Sequence, residues 1–233
     1  MHGIPRGRIY AGLSLEQRRA KRRGQLIAAA VEIWRTEGWA RVTMRGVCAR
    51  ARLTDRYFYE HFADRDALLV AVWNHARDSV ISLLLEAFRT STEPAPDAQV
   101  REAIVELVHE LADDDPNGAQ LLFSANLGTP VLQQCRQQTL QQLTDVIVTL
   151  AAPRLRPGVD LDDLRMSTLM GIGGFIELIT AWQSGTITAT AEQIIDHTGR
   201  ITTMLASQYM HPQPTNISHM TRSVLEAMEA DTA

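Results

Sequence analysis

The chain has 233 residues, 45% of them apolar, enough to build a sizeable core, while no run approaches the roughly 18 consecutive apolar residues needed to span a bilayer. Two cysteines, Cys48 and Cys135, lie far apart with no CxxC or Cys/His spacing, which excludes a disulfide framework or a zinc site as the organising device. The net charge of -4 hides an asymmetry, because residues 1–62 carry 13 Lys/Arg against 5 Asp/Glu, a balance of +8, and residues 63–233 carry 10 against 22, a balance of -12.

A basic end joined to an acidic remainder suggests that one end meets a polyanion and the other serves a different purpose. The first residues carry charges without an apolar stretch behind them, so an unexported, cytoplasmic protein is expected. Residues 1–13, with Arg6 and Arg8, read as a flexible basic arm.

Ser14-Leu15-Glu16-Gln17 is an S-x-x-Q capping box, and Ile27, Ala30, Val31 and Trp34 follow at helical spacing, so a first helix runs to Gly38. Arg18, Arg19, Lys21, Arg22 and Arg23 crowd its early turns; the bland reading of that run is a solvated face. Thr43 is placed to cap a second helix through Ala51, and Thr54 a third over residues 55–61, with only Arg52 and Leu53 between them. Two short helices across so tight a turn, backed by a longer one, make a helix-turn-helix.

Downstream, helices are expected at 66–89, 97–111, 121–126, 129–152, 161–183 and 191–209, with breakers at 91–96 and 153–158 and a proline-entered helix start at Asp115-Pro116. The fold class is therefore all-α, with a DNA-binding head at 14–63, a body at 64–211 and a tail at 212–233 that includes a loose helix near 218–230.

Between Arg23 and Trp73 the chain resembles the tetracycline-repressor family of bacterial transcriptional regulators, on Ala29-Ala30, Gly38, Thr43, Val47, Ala51, Leu53, Thr54, Tyr59, His61, Phe62 and Leu68-Leu69. About 50 of the 233 residues carry the resemblance. Where the family usually has glycine in the turn, this chain has Arg52, so its backbone must reach that conformation without the relief glycine gives. Gly46 stands at a position usually acidic, and Arg65 replaces the common lysine after the third helix.

The segment LTDRYFYEHF, residues 53–62, divides by direction. Phe58 and Phe62, four apart, face inward and fix the third helix; Tyr57 and Tyr59 point outward. The resemblance implies phosphate contacts for Tyr59 and His61. Asp55, Arg56 and Tyr57 occupy the first turn of a helix expected to enter the major groove, where Arg56 can fork onto guanine and Asp55 can accept from cytosine or orient Arg56. Thr43 and Thr54 offer hydroxyls and free amides at helix N-termini, and Arg45 and Arg65 are further DNA-contact candidates.

For the body, the resemblance implies a small-molecule pocket and a homodimer through the last two long helices. Gly171, Gly174, Trp182, Ile194, Ile201 and Leu205 are the interface candidates. The pocket candidates are Trp73, Phe88, His109, Phe123, Met170, Phe175 and Glu177. Glu177 interrupts the apolar run GGFIELITAW, and reads either as a surface or interface charge or as a buried anion for a cationic ligand. The partners implied are a double-stranded palindromic operator, an apolar effector and a second copy, with no membrane, no cofactor and no metal. A DNA-binding dimer without a ligand switch and a helical enzyme are the competing readings, the latter lacking a clustered acid, base or nucleophile set.

Overall fold

The computed structural model describes residues 14–90, 96–112, 118–123 and 128–210. The basic arm, Asp115-Pro116, the end of the 121–126 helix and the tail beyond 212 lie outside the described residues. The chain divides into two compact units between Leu69 and Val70.

The first unit opens with α1 (Leu15–Glu37), whose N-terminus carries the expected reciprocal cap: the Gln17 amide donates to Ser14 Oγ at 3.0 Å, and the Ser14 amide to Gln17 Oε1 at 2.8 Å. Gly38, at φ 87°, ends it by entering a backbone region that side chains avoid. Its apolar stripe, Ile27, Ala30, Val31 and Trp34, is buried. A single 3-10 turn (Trp39–Arg41) leads to α2 (Met44–Ala51), capped by the Gly46 amide donating to Thr43 Oγ1 at 3.2 Å.

Arg52 ends α2 in the left-handed conformation, φ 55° and ψ 40°, the one non-glycine residue at positive φ among the described residues. This is the strain that its replacement of glycine implied. The recognition segment α3 (Asp55–Tyr59) is shorter than expected: Glu60 and His61 form a turn, and Thr54 contributes its carbonyl to the Tyr57 amide but makes no side-chain cap. Phe58 is fully buried and Phe62 nearly so, their ring centroids 5.6 Å apart. Burying each such ring is worth about 1.5–3 kcal/mol, which holds so short a helix in place.

The first turn of α4 (Arg65–Thr90) belongs to the first unit and the rest to the second, so the unit boundary falls inside a helix rather than at 63/64. In the second unit, α5 (Pro96–Ala112) packs along α8 (Ala191–Tyr209), and α6 (Pro130–Ala151) along α7 (Leu161–Gln183). Their starts are set by caps on Thr129, Asp160 and Thr190, the last a second capping box with Gln193. A 3-10 turn (Ala119–Phe123) supplies buried Leu121, Leu122 and Phe123.

Candidate nucleic-acid interface and body cavity

On the first unit the recognition segment presents Thr54, Asp55 and Arg56 to solvent, with the Arg56 side chain 85% exposed. Arg56 also reaches Glu60 at 3.3 Å, one turn on, but so exposed a pair contributes little and leaves the guanidinium free to turn to another acceptor. Tyr59 is 61% exposed, its ring edge-on to Phe58. Thr43 and Arg45 are exposed at the start of α2.

The arginines of α1 are more than a solvated face. Arg19 donates to the Glu60 carbonyl at 3.1 Å, Arg22 approaches the Glu60 carboxylate at 3.7 Å, and Arg23 lies over the Phe62 ring. Arg22 also covers the Tyr57 ring at 4.6 Å, so Tyr57 is half-buried instead of pointing outward. Sequence reasoning missed this clamp, because cation-π stacking between α1 and α3 leaves no trace in local spacing.

Two further expectations need correction. Arg65 does not extend to solvent: Nε donates to the Val42 carbonyl at 2.6 Å and Nη2 to the Trp39 carbonyl at 2.8 Å, with the guanidinium over the Trp39 ring. It closes the free carbonyls of the 3-10 turn and ties down the first turn of α4. His61 is half-buried with Nε2 shut from solvent and unpaired among the described residues. Burial, then the nearby Arg19 and Arg22, holds its pKa below the ordinary histidine value, which favours the neutral ring.

The second unit holds a half-open cavity of about 420 Å³ lined by α4, α5, α6, α7 and α8. Its wall is apolar, with Val80 and Leu84 on one side and Ile172 and Leu178 on the other, and carries no Asp, Glu, Lys or Arg. Of the pocket candidates, Met170 and Phe175 line it. Trp73, Phe123 and Phe175 line a smaller adjoining chamber of about 50 Å³, where Trp73 Nε1 donates to Thr139 Oγ1 at 2.8 Å.

The other candidates lie elsewhere. Phe88 packs with Val146 and Leu150 in the core, and His109 is exposed. Glu177 is a surface charge, its side chain 70% exposed and paired to Arg136 at 2.8 Å, so the buried-anion reading is wrong.

The interface candidates also divide. Ile194 is buried within its own unit, Trp182 Nε1 ties the α7–α8 connection to the Ala189 carbonyl at 2.9 Å, and a Cβ on Gly171 would meet Leu205 Cδ1 at 3.3 Å, an intramolecular contact. Gly171, Gly174, Ile201 and Leu205 all line the cavity. Gly174 and Ile201 remain outward-facing, joined by exposed Met166, Leu169 and Met204, which were not among the interface candidates, and by Met170, a pocket candidate.

A short helix offering polar side chains at its N-terminus, fixed by a tight turn and set in a basic unit, defines a helix-turn-helix DNA-binding protein with a separate helical body. Residues 26–72 match the model of the bacterial regulatory proteins of the tetR family. It is 31% identical over 105 residues to the HTH-type transcriptional activator FasR of Mycolicibacterium smegmatis, a match covering 45% of this chain and 47% of FasR. The chain thus spans about half the length of that curated relative. Among solved structures it is similar to SmeT, the repressor of the Stenotrophomonas maltophilia multidrug efflux pump SmeDEF, at TM-score 0.57 and 18% identity over 84% of this chain and 95% of that one. The SmeT–triclosan complex matches at 0.61 and 19%, over 84% and 94%. At such identity these likenesses speak to the fold, a helix-turn-helix head followed by a helical body.

Proposed function

We propose that the protein is a cytoplasmic, effector-responsive regulator that binds a palindromic operator as a homodimer and releases it when a small apolar molecule enters the body. The observation that carries this reading is the pairing, in one chain, of a basic unit exposing Thr54, Asp55 and Arg56 with a second unit that holds a half-open apolar cavity. That SmeT has been solved with triclosan supports an effector site in this body as well. Within the head, Arg56 and Asp55 read bases, while Thr43, Arg45 and Tyr59 meet phosphates. The coupling element is α4, which lines the cavity through Val80, Leu83 and Leu84 and is anchored at its first turn by Arg65. An effector that favours a different tilt of α4 shifts the two recognition helices away from one DNA turn, about 34–36 Å.

The test is selection of genomic fragments by the purified chain, followed by binding over a salt series. The expected result is an inverted repeat whose affinity falls steeply with salt, by roughly 10³–10⁵ between 50 and 200 mM for 6–10 phosphate contacts. Recovery of no common sequence overturns the operator assignment. The name of the curated relative, an activator, favours a second reading in which the bound protein activates transcription. A reporter placed behind the selected site, with and without the protein, separates the two.

A further inference from the structure

Three arginines converge on one acid at the end of the recognition segment. Glu60 follows α3, and its amide donates to the Arg56 carbonyl at 3.1 Å, which sets the two side chains one turn apart on the same face. Its own carbonyl accepts from Arg19 Nη2 at 3.1 Å. The carboxylate divides its oxygens: Oε2 faces Arg22 Nη2 at 3.7 Å, and Oε1 faces Arg56 Nε at 3.3 Å. The two arginines differ in freedom. Arg22 is 25% exposed and stacked over Tyr57, whereas Arg56 is 85% exposed, so Glu60 is held from the α1 side and Arg56 is the partner that can leave. A carboxylate on a helix that meets DNA repels phosphates and costs affinity for every sequence. Exposed ion pairs add little stability in return, so Glu60 is best explained by what it does to Arg56.

We infer that Glu60 is a specificity-determining residue, which keeps Arg56 from serving as a general phosphate contact and leaves it able to read a base. This rests on reading the first unit as an operator-binding head with Arg56 as a base reader. The pair engages Nε and leaves both Nη groups, and that fork can meet O6 and N7 of guanine. A base contact therefore forms with the pair intact. A swing to a phosphate breaks the pair, and an arginine already neutralised by a carboxylate adds less to counterion release when it meets DNA. Binding to arbitrary sequence, which depends on phosphate neutralisation, is weakened, while recognition of the right base is spared. Specificity of this kind comes from penalising the wrong partner.

The experiment measures binding of the purified full chain to its selected operator and to an unrelated duplex of equal length, each over a salt series, for wild type, Glu60→Gln, Arg56→Ala and the double variant. Glu60→Gln keeps the side-chain length and an acceptor oxygen but removes the charge. It is expected to tighten the unrelated duplex about fivefold, to steepen the salt slope on that duplex by about one, and to leave operator affinity within about twofold, so discrimination falls. In the Arg56→Ala background the same change should leave discrimination where Arg56→Ala put it. Glu32→Gln, which removes a charge of the same unit from a pair with Arg50, should shift both duplexes equally. Four outcomes overturn the inference while the operator reading stands: Glu60→Gln shifts both duplexes by the same factor, it weakens both, it lowers discrimination even without Arg56, or Glu32→Gln lowers discrimination as much. A wild type with no preference for any sequence overturns the operator reading and the inference with it.

Discussion

Arg52 occupies a left-handed backbone conformation that costs an ordinary L-residue about 1–2 kcal/mol and glycine almost nothing. Glycine pays part of that back through the greater freedom of the unfolded chain. Arg52→Gly is therefore expected to raise unfolding stability by about 0.5–1 kcal/mol in urea titration; a loss of stability would mean that the side chain earns its place through contacts. His61 provides a second measurable effect. Its folded pKa lies below the unfolded value near 6.5, so the unfolded chain takes up the proton first. Its contribution to stability is present above about pH 6.5 and is lost as pH falls toward the lowered folded value. Urea midpoints of wild type should drop over that window more than those of His61→Gln, and equal slopes would show that the ring is not held neutral.

Arg65 decides how α4 begins. Its guanidinium fork satisfies carbonyls of Trp39 and Val42 that the end of the 3-10 turn leaves open, a geometry that a lysine ammonium cannot reproduce. Arg65→Ala should destabilise the protein by roughly 1–3 kcal/mol and weaken operator binding, yet leave the salt slope of binding unchanged, because no phosphate contact is removed. A slope reduced by about one would instead make Arg65 a DNA contact. The contrast between this residue and its neighbours explains what was legible in the sequence. Ser14 with Gln17, Thr43 with Gly46, and Thr129 before Pro130 announce helix starts because caps bond within three residues. The inward direction of Phe58 and Phe62 was equally readable from i, i+4 spacing. The roles of Arg65, Arg22, His109 and Glu177 were not, since each depends on a carbonyl, a ring or a surface that another element brings near. Glu177 looked anomalous in an apolar run only because the run belongs to a helix with an outward face.

That outward face bears on the assembly. The apolar stretch of α7 is long enough to cross a bilayer by length and composition, yet only 17% of it is buried within the chain. Met166, Leu169 and Met170 on α7 are exposed together with Ile201 and Met204 on α8. So much exposed apolar surface on adjoining helices calls for a cover, and in the homodimer proposed above a second copy meeting it about a twofold axis would supply one made of the same residues. Flexible methionines suit such a self-complementary contact, since they repack against one another without demanding a fixed shape. A charge placed there meets its own symmetry mate or lies buried opposite apolar side chains, and either outcome disfavours association. Met166→Glu with Met204→Glu, both outside the cavity wall, should therefore shift the protein from dimer to monomer in sedimentation at micromolar concentration, leave its helical circular dichroism intact, and weaken operator binding by at least tenfold. The double variant touches no residue of the recognition segment, so the loss of DNA affinity reports pairing alone. A wild type that sediments as a monomer with and without operator, or a double variant that remains a dimer, would place the contact between copies on some other surface.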